Sequence, residues 1–175
     1  MRCFVACWPD QVTRAHLDHL AQGLHARHPG ARCMRADNLH LTLAFIGELA
    51  QPLAGQACGA MADLAIEPFD WRIDRLGRFD RAGIVWAGGP QEPRLSDLAD
   101  RVRSRLRALE VRFDLKPFAA HITLLRDLPS RRPAIERPES VESIEPIHWQ
   151  IQAARLLVSE RDADGLLRYR ALDRP

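Results

Sequence analysis

The chain has 175 residues, of which 46% are hydrophobic, and a formal net charge of +2. This length suffices for one full-sized domain or two small lobes that share a core. So small a net charge does not predict tight, salt-sensitive binding to long nucleic acid. No apolar run reaches the ~20 residues of a membrane span, and residues 1–8 are too short for the apolar core of an export signal.

Predicted strands and helices alternate along the chain and are separated by breaker residues. Strands are predicted where short stretches are apolar or alternate in polarity, and helices where leucines recur at helical spacing. Asp10 is the residue type of a helix cap, and Pro52 suits a first helical turn. In chain order the predictions are a strand at 3–8, a helix at 10–27, strands at 33–35 and 39–46, a helix at 52–65, strands at 69–79 and 83–87, a helix at 94–110, strands at 118–125 and 147–158, and a closing hairpin strand at 166–169. Residues 129–140, rich in Pro, Arg and Glu, are predicted to form an exposed loop.

Two related tetrapeptides indicate an internal repeat. They are His-Leu-Thr-Leu at 40–43 and His-Ile-Thr-Leu at 121–124, with an offset of 121 − 40 = 81. The same offset relates further pairs, which are Phe4 and Val85, Ala6 and Ala87, Pro9 and Pro90, and Leu17 and Leu98. The sequence therefore predicts a single α+β domain over 1–175, with the repeat roughly at 1–50 and 82–130. Its two pseudo-symmetric lobes, each a mostly antiparallel sheet with outer helices, enclose a central cleft.

Each motif places a histidine and a threonine on the same face of a predicted strand. Side chains alternate along a strand, so His40 and Thr42 point away from the face of their leucine neighbours. His121 and Thr123 follow the same pattern in the second copy. A single motif of this kind is more often a half-buried structural histidine, but two copies at matched positions predict that both histidines face one cavity.

These residue types suit acid/base chemistry on a phosphoester. Histidine has an ordinary pKa of about 6.5, so a neutral imidazole can accept a proton from attacking water while an imidazolium protonates the leaving oxygen. The two rings must then lie on opposite sides of the phosphate. The hydroxyl groups of Thr42 and Thr123 can donate hydrogen bonds to the non-bridging oxygens. The two imidazoles and two hydroxyls together predict catalysis without a metal ion.

The remaining histidines and the cysteines suggest no cofactor. His16 and His19, like His25 and His28, have a spacing that a zinc site could use, but exposed helix histidines are the preferred interpretation. The four cysteines form no Cys-x-x-Cys pair, which favours a reducing, cytoplasmic location without disulfides. The expectation is therefore a cytoplasmic monomer with no metal, no cofactor and no membrane partner.

The motifs resemble those of the two-histidine phosphoesterase superfamily, and within it the RNA 2′,3′-cyclic phosphodiesterases, also called 2′-5′ RNA ligases. The resemblance covers nearly the whole chain and is carried by both His-x-Thr segments in this order. Further matching segments are Arg2-x-Phe4-x-Ala6, Gly47 after the first motif, residues 83–88, Arg126 after the second motif, and the tail from Leu157 through Gly165 to Tyr169.

The resemblance implies a bilobal fold without a required cofactor, and hydrolysis of a 2′,3′-cyclic phosphate on RNA ends or nucleosides to a 2′-phosphomonoester. It implies that His40 is the proton donor and His121 the proton acceptor, although the sequence alone does not order them. Thr42, Thr123 and Arg126 are implied to contact the phosphate. Strict alternation puts Arg126 opposite His121, so this role needs a bulge or the end of the strand. Otherwise Arg126 is an exposed partner of Asp127.

Several positions and functions stay open. Phe45 and Gly47 are interpreted as core and turn residues, and Tyr169 as structural. Each of the four tryptophans, Trp8, Trp71, Trp86 and Trp149, could stack on a base, although most are expected in the core. The alternatives to the hydrolase are an ATP-independent 2′-5′ RNA ligase, a nucleotide-binding or RNA-binding module without catalysis, and a metal site built from the histidines.

Overall fold

The computed structural model describes residues 1–129 and 142–172, so all but one residue of the predicted loop at 129–140 lies outside the described residues. The helices are α1 (Gln11–Arg27), α2 (Gln51–Ala62) and α3 (Pro93–Ala108). The strands are β1 (Arg2–Cys7), β2 (Arg32–Cys33), β3 (Leu41–Glu48), β4 (Phe69–Phe79), β5 (Ile84–Gly88), β6 (Ile122–Arg126), β7 (Glu142–Ile151), β8 (Arg155–Arg161) and β9 (Leu167–Ala171). Within these ranges, no helix combines the length and apolar character needed to cross a membrane.

The strands form one antiparallel sheet in the order β7-β4-β5-β6-β3-β1-β8-β9, with the short β2 paired to β6. The inner strands β3 and β6 are joined by one register pair, Leu41 with Ile122. Apart from β2, the sheet therefore consists of two halves of four strands each, which meet at a narrow seam between β3 and β6. This confirms the predicted α+β fold with two mostly antiparallel halves and outer helices.

The helices tie the two halves together. Helix α1 follows β1 but packs against β6, whereas α3 follows β5 but packs against β3. Leu17 on α1 and Leu98 on α3, which the repeat predicts to be equivalent, are both buried in the same hydrophobic core. Since α1 and α3 each bury an apolar face against the inner strand of the other half, the seam is held by shared core packing rather than by strand pairing alone.

Local signals at the helix starts agree with the structure. The Asp10 carboxylate accepts hydrogen bonds from the backbone N–H of Thr13 at 2.9 Å and from its hydroxyl at 2.8 Å, which caps α1 as predicted. Pro52 lies in the first turn of α2, where its missing N–H costs no helical hydrogen bond. Helix α2 ends at Ala62, three residues before the predicted end.

A β-bulge interrupts the first motif strand. In the pairing of β1 with β3, Ala6 is opposite Thr42 and Val5 is opposite Ala44, so Leu43 is an extra residue on β3. A bulge shifts the alternation of side chains beyond it by one residue. Ala44 is accordingly buried, although strict alternation places it on the face of His40.

The second motif strand carries the same irregularity. Trp86 on β5 is opposite Thr123 and Val85 is opposite Leu125, which leaves Leu124 as the extra residue on β6. Leu43 and Leu124 are separated by 124 − 43 = 81 positions, the offset of the motifs themselves. The bulge is therefore a shared feature of both halves.

Two sequence interpretations need correction because of these registers. Phe45 was expected in the core, but it is 39% exposed because the bulge at Leu43 turns it outward. The predicted equivalence of Ala6 with Ala87 is off by one residue. Ala6 and Trp86 face the motif threonines, so β1 and β5 correspond with an offset of 86 − 6 = 80.

The predicted single strand at 147–158 is two strands. Strand β7 pairs with β4 in one half, and β8 pairs with β1 in the other. The chain crosses between the halves at residues 152–154, which belong to neither strand. The crossing segment, Gln-Ala-Ala, contains neither Gly nor Pro, so no breaker residue indicates the change of partner.

The motif strands also begin later than predicted, at Leu41 instead of residue 39 and at Ile122 instead of residue 118. Each catalytic candidate histidine is therefore the residue immediately before its strand. The predicted strand at 33–35 lies at Arg32–Cys33, and the closing hairpin forms between β8 and β9 as predicted.

Candidate active site

The seam between the halves brings both motifs together. In an antiparallel pair of strands, the residue that precedes a paired residue on one strand lies opposite the residue that follows its partner on the other strand. With Leu41 opposite Ile122, His40 lies beside Thr123 and His121 beside Thr42. All four polar residues are on the side of the sheet opposite the buried Leu41 and Ile122. The structure thus gathers the four motif residues at the centre of the molecule.

Both histidines are oriented by the same backbone interaction. Nδ1 of His40 lies 2.7 Å from the carbonyl oxygen of Asn38, and Nδ1 of His121 lies 2.7 Å from that of Ala119. A carbonyl oxygen can only accept, so Nδ1 carries the proton and donates in both rings. In its neutral form each ring therefore has an unprotonated Nε2, the atom through which it can exchange a proton with a ligand.

Aromatic side chains hold the ring of His40. Its centroid is 4.8 Å from that of Phe4 and 5.1 Å from that of Tyr169, the latter in an edge-to-face arrangement. Phe4 and Tyr169 are themselves in edge contact at 4.9 Å. Tyr169 was interpreted as a structural residue. It does pack against other side chains, but one of them is the ring of a candidate catalytic histidine.

The ring of His121 is also held by an aromatic contact, but by one ring instead of two. Its ring meets Phe79 edge to face at 5.0 Å, and Phe79 in turn contacts Trp86 at 5.5 Å. Gly77 leaves room for the indole of Trp86, because a Cβ at that position would come within 2.0 Å of it. Trp71 and Trp149 form a buried pair in the core, so of the four tryptophans only Trp8 and Trp86 keep partial exposure.

Burial and positive charge favour the neutral form of both rings. The pKa of His40 is lowered to about 4, first by burial and then by the charges of Arg126 and His121, while the hydrogen bond to the Asn38 carbonyl opposes the shift. The pKa of His121 is also lowered, by burial and then by Arg126. Without a bound anion, both histidines are therefore neutral near pH 7.

Arg126 reaches the site because of the bulge at Leu124. The extra residue restores Arg126 to the face of His121 and Thr123, and its charge acts on both histidines. The alternative pairing with Asp127 is not formed, because Asp127 binds Arg32 at 2.8 Å. Within the described ranges, Arg126 has no ion-pair partner, so its guanidinium is available to an anion.

The motif threonines complete the polar lining. Thr123 is buried at the seam and Thr42 is half-buried. Within residues 1–129 and 142–172, neither hydroxyl is committed to a hydrogen bond with another group of the chain. Each can therefore donate to an oxygen atom held between the histidines. Together with Arg126, they supply two neutral donors and one positive charge.

One supporting residue was missed from the sequence. The buried Asn38 donates from its side-chain amide to the carbonyl of Leu167 at 2.8 Å and accepts from the backbone N–H of Tyr169 at 3.1 Å. Its position two residues before His40 was visible, but its binding to β9 depends on a contact over about 130 positions. No sequence pattern signals such a contact.

The described residues contain no cluster of three or more His, Cys, Asp or Glu side chains that could hold a metal ion. The helix histidines considered for a zinc site, including the exposed His16, lie on α1 and just after it, apart from the seam. The seam itself brings together two imidazoles, two hydroxyls and one guanidinium.

Comparison with known proteins places the chain in a family. Residues 8–86 match the family model of LigT-like phosphoesterases. The RNA 2′,3′-cyclic phosphodiesterase of Archaeoglobus fulgidus is 31% identical over 129 residues, or 72% of each chain. The enzyme of the same name from Escherichia coli is 41% identical over 98 residues, or 55% of each chain.

A solved structure agrees with this over nearly the full length. The crystal structure of E. coli LigT in complex with 3′-AMP superimposes with a TM-score of 0.79 at 30% identity, covering 98% of this chain and 95% of that one. The similarity therefore includes both halves of the sheet and the seam between them. The chain belongs to the LigT-like phosphoesterase family.

Proposed function

We propose that this protein is an RNA 2′,3′-cyclic phosphodiesterase that opens cyclic phosphates on RNA ends or nucleosides to 2′-phosphomonoesters, with His40 and His121 as the acid/base pair. The observation that carries the proposal is the matched orientation of the two rings at the seam. Each ring has Nδ1 fixed by a carbonyl, which leaves Nε2 for proton exchange. The names of the A. fulgidus and E. coli relatives support the same activity.

The reaction needs one proton accepted and one donated. Nε2 of neutral His121 takes a proton from water as the water oxygen bonds to phosphorus. The bond from phosphorus to the ribose O3′ breaks, and Nε2 of protonated His40 gives its proton to that oxygen. The 2′-phosphate remains, and solvent exchange returns both rings to their starting states. Each proton transfer contributes about 10²–10⁴ in rate.

The lowered pKa of His40 requires that the substrate help to protonate it. In the free site, burial and the charge of Arg126 disfavour the imidazolium. The negative charge of the cyclic phosphate opposes that effect and raises the pKa of a neighbouring imidazole. His40 thus becomes protonated when the substrate anion is bound, and it can then give that proton to the leaving oxygen of the same substrate.

Arg126 and the two threonines have the complementary role of holding the phosphate. The guanidinium and hydroxyl groups can donate to the non-bridging oxygens, where negative charge grows in the transition state. Their positions on the face of the histidines support this role. A phosphate held there would have one histidine on each side, as in-line displacement requires.

The test is a product assay. Purified protein is incubated with cytidine 2′,3′-cyclic phosphate in the presence of EDTA, and phosphorus NMR separates the 2′- and 3′-phosphates. We expect only the 2′-phosphate, and a loss of at least about 10²-fold in kcat for His40→Ala and for His121→Ala. His16→Ala, which removes an exposed histidine from α1, is the matched control and keeps full activity. Absence of product, or a product that is entirely 3′-phosphate, rejects the proposal.

The same assay separates hydrolysis from ligation. Adding an RNA strand with a free 5′-hydroxyl lets that hydroxyl compete with water for the cyclic phosphate. We expect hydrolysis to dominate, since water is in large molar excess over the added strand. A major 2′-5′-linked product would make the chain a ligase by the same acid/base mechanism.

A further inference from the structure

A cavity adjoins the candidate active site next to His40. It has a volume of about 320 Å³ and shares two walls with His40. One is Asn38, whose carbonyl binds His40 Nδ1, and the other is Tyr169, whose ring contacts the imidazole. Small-molecule sites span about 300–1,000 Å³, so this cavity suits one nucleotide unit. It is named the β9 pocket here, after the strand that carries Tyr169.

The β9 pocket has a surplus of positive charge. Arg14, Arg35 and Arg168 line it, against the single carboxylate of Asp37. Arg14 is paired with Asp37 at 3.1 Å. Arg35 and Arg168 both contact one further carboxylate, that of Asp162, with Arg35 at 3.7 Å. Because two guanidiniums share one carboxylate, they retain donors and net charge for an anion.

An aromatic surface completes the pocket. Trp8 lies in its lining and is half-buried, and its indole Nε1 has no hydrogen-bond partner in the described part of the chain. Indole faces stack on nucleobases regardless of base identity. A guanidinium pair beside an indole is the combination that recognises a phosphate together with its base.

We propose that the β9 pocket binds the nucleotide that precedes the cyclic phosphate in an RNA chain. In such a chain the ribose at the seam continues through its 5′ oxygen to a second phosphate and a second base. Arg35 and Arg168 bind that phosphate, and Trp8 stacks on that base. The inference rests on the proposed function and makes RNA ends, rather than free nucleoside cyclic phosphates, the preferred substrates.

The test compares two substrates with the same reacting end. The values of kcat/KM are measured for cytidine 2′,3′-cyclic phosphate and for a dinucleotide that ends in it. We expect the dinucleotide to be favoured by about tenfold or more, as one stacked base supplies. Trp8→Leu and Arg35→Ala each bring this ratio towards one, while the mononucleotide rate is unchanged. Added salt lowers the ratio through the phosphate contact.

Arg94→Ala is the matched control. It removes an ion-paired arginine with 60% side-chain exposure, against 40% for Arg35, from the start of α3. The control keeps the dinucleotide preference. An equal fall for both substrates in Trp8→Leu and Arg35→Ala, or no preference in the parent protein, overturns the inference while leaving the proposed function intact. Failure of both substrates to react would instead reject the proposed function.

Discussion

Asn38 connects His40 to strand β9, because its backbone binds the imidazole and its side chain binds the strand. Its carbonyl oxygen accepts the Nδ1 proton of His40 at 2.7 Å, and its side-chain amide is bound to the backbone of β9. The carbonyl that orients the ring is thus attached to a second strand. The corresponding partner of His121 is Ala119, which has no side-chain hydrogen-bonding group. Both imidazoles therefore donate from Nδ1 to a carbonyl oxygen, but only the carbonyl that orients His40 belongs to a residue whose side chain is bound to another strand. This anchoring of Asn38 to β9 is called the clamp.

The clamp predicts that Asn38→Ala harms catalysis more than folding. Loss of two buried hydrogen bonds costs about 1–3 kcal/mol in the free energy of unfolding, and a misplaced ring costs about 10–100-fold in kcat. Nitrogen NMR of His40 reports whether Nδ1 keeps its proton, which a purely structural role would not alter. Asp10→Ala, which removes the cap of α1 at a similar cost in stability, is the control and retains kcat. Equal losses of kcat in both variants would argue against the clamp.

Arg126→Ala tests the charge that acts on both histidines. We expect kcat/KM to fall by about 10²-fold because a charged hydrogen-bond donor to the phosphate is lost. Removing that positive charge also raises the pKa of His121 towards its ordinary value. A general base must be deprotonated, so the acid limb of the pH profile moves to higher pH.

Arg32→Ala serves as the comparison for that experiment. Arg32 is the register partner of Arg126, but its guanidinium is bound to Asp127, and its charge is not among the causes that lower the pKa of either histidine. We expect its pH profile to match that of the parent protein. An acid limb that fails to move in Arg126→Ala would remove Arg126 from the site.

The lowered pKa of His40 also predicts a loss of stability in acid. The unfolded ring has an ordinary pKa of about 6.5 and the folded ring one of about 4, so between these values the unfolded state binds more protons. The stabilisation from a neutral His40 is complete above the unfolded pKa and is lost as the pH falls towards the folded one. Its size is at most ~3 kcal/mol. Urea unfolding across this range measures it, and His40→Gln should flatten the dependence. An unchanged slope in the variant would contradict the assignment.

The sequence predicted which side chains meet at the seam better than it predicted the structure around them. The repeated His-x-Thr pattern identified four side chains that the seam gathers, because local alternation and a repeat are both visible in one dimension. The bulges at Leu43 and Leu124 were not visible, since a bulge is defined by the partner strand. They explain why Phe45 is exposed and why Arg126 faces the histidines.

Contacts between distant segments account for the remaining differences. The break between β7 and β8 follows from a change of pairing partner, and the clamp of Asn38 depends on β9. Neither leaves a local trace in composition or periodicity. The helix starts were predicted well because their caps, such as Asp10 for α1, act within a few residues.

The roles of the two histidines can be separated with an activated substrate. A general acid matters only when the leaving oxygen needs a proton, and p-nitrophenolate leaves without one. We therefore expect His40→Ala to hydrolyse a p-nitrophenyl phosphodiester of a nucleoside at nearly the parent rate, although it fails on the cyclic phosphate. His121→Ala should lose about 10²–10⁴ in rate on both substrates, because the attacking water still requires a base. Release of p-nitrophenolate is followed by absorbance. The opposite pattern, with His121→Ala spared and His40→Ala inactive, would exchange the two assignments, and the burial that lowers the pKa of His40 to about 4 would then suit it to the role of the base.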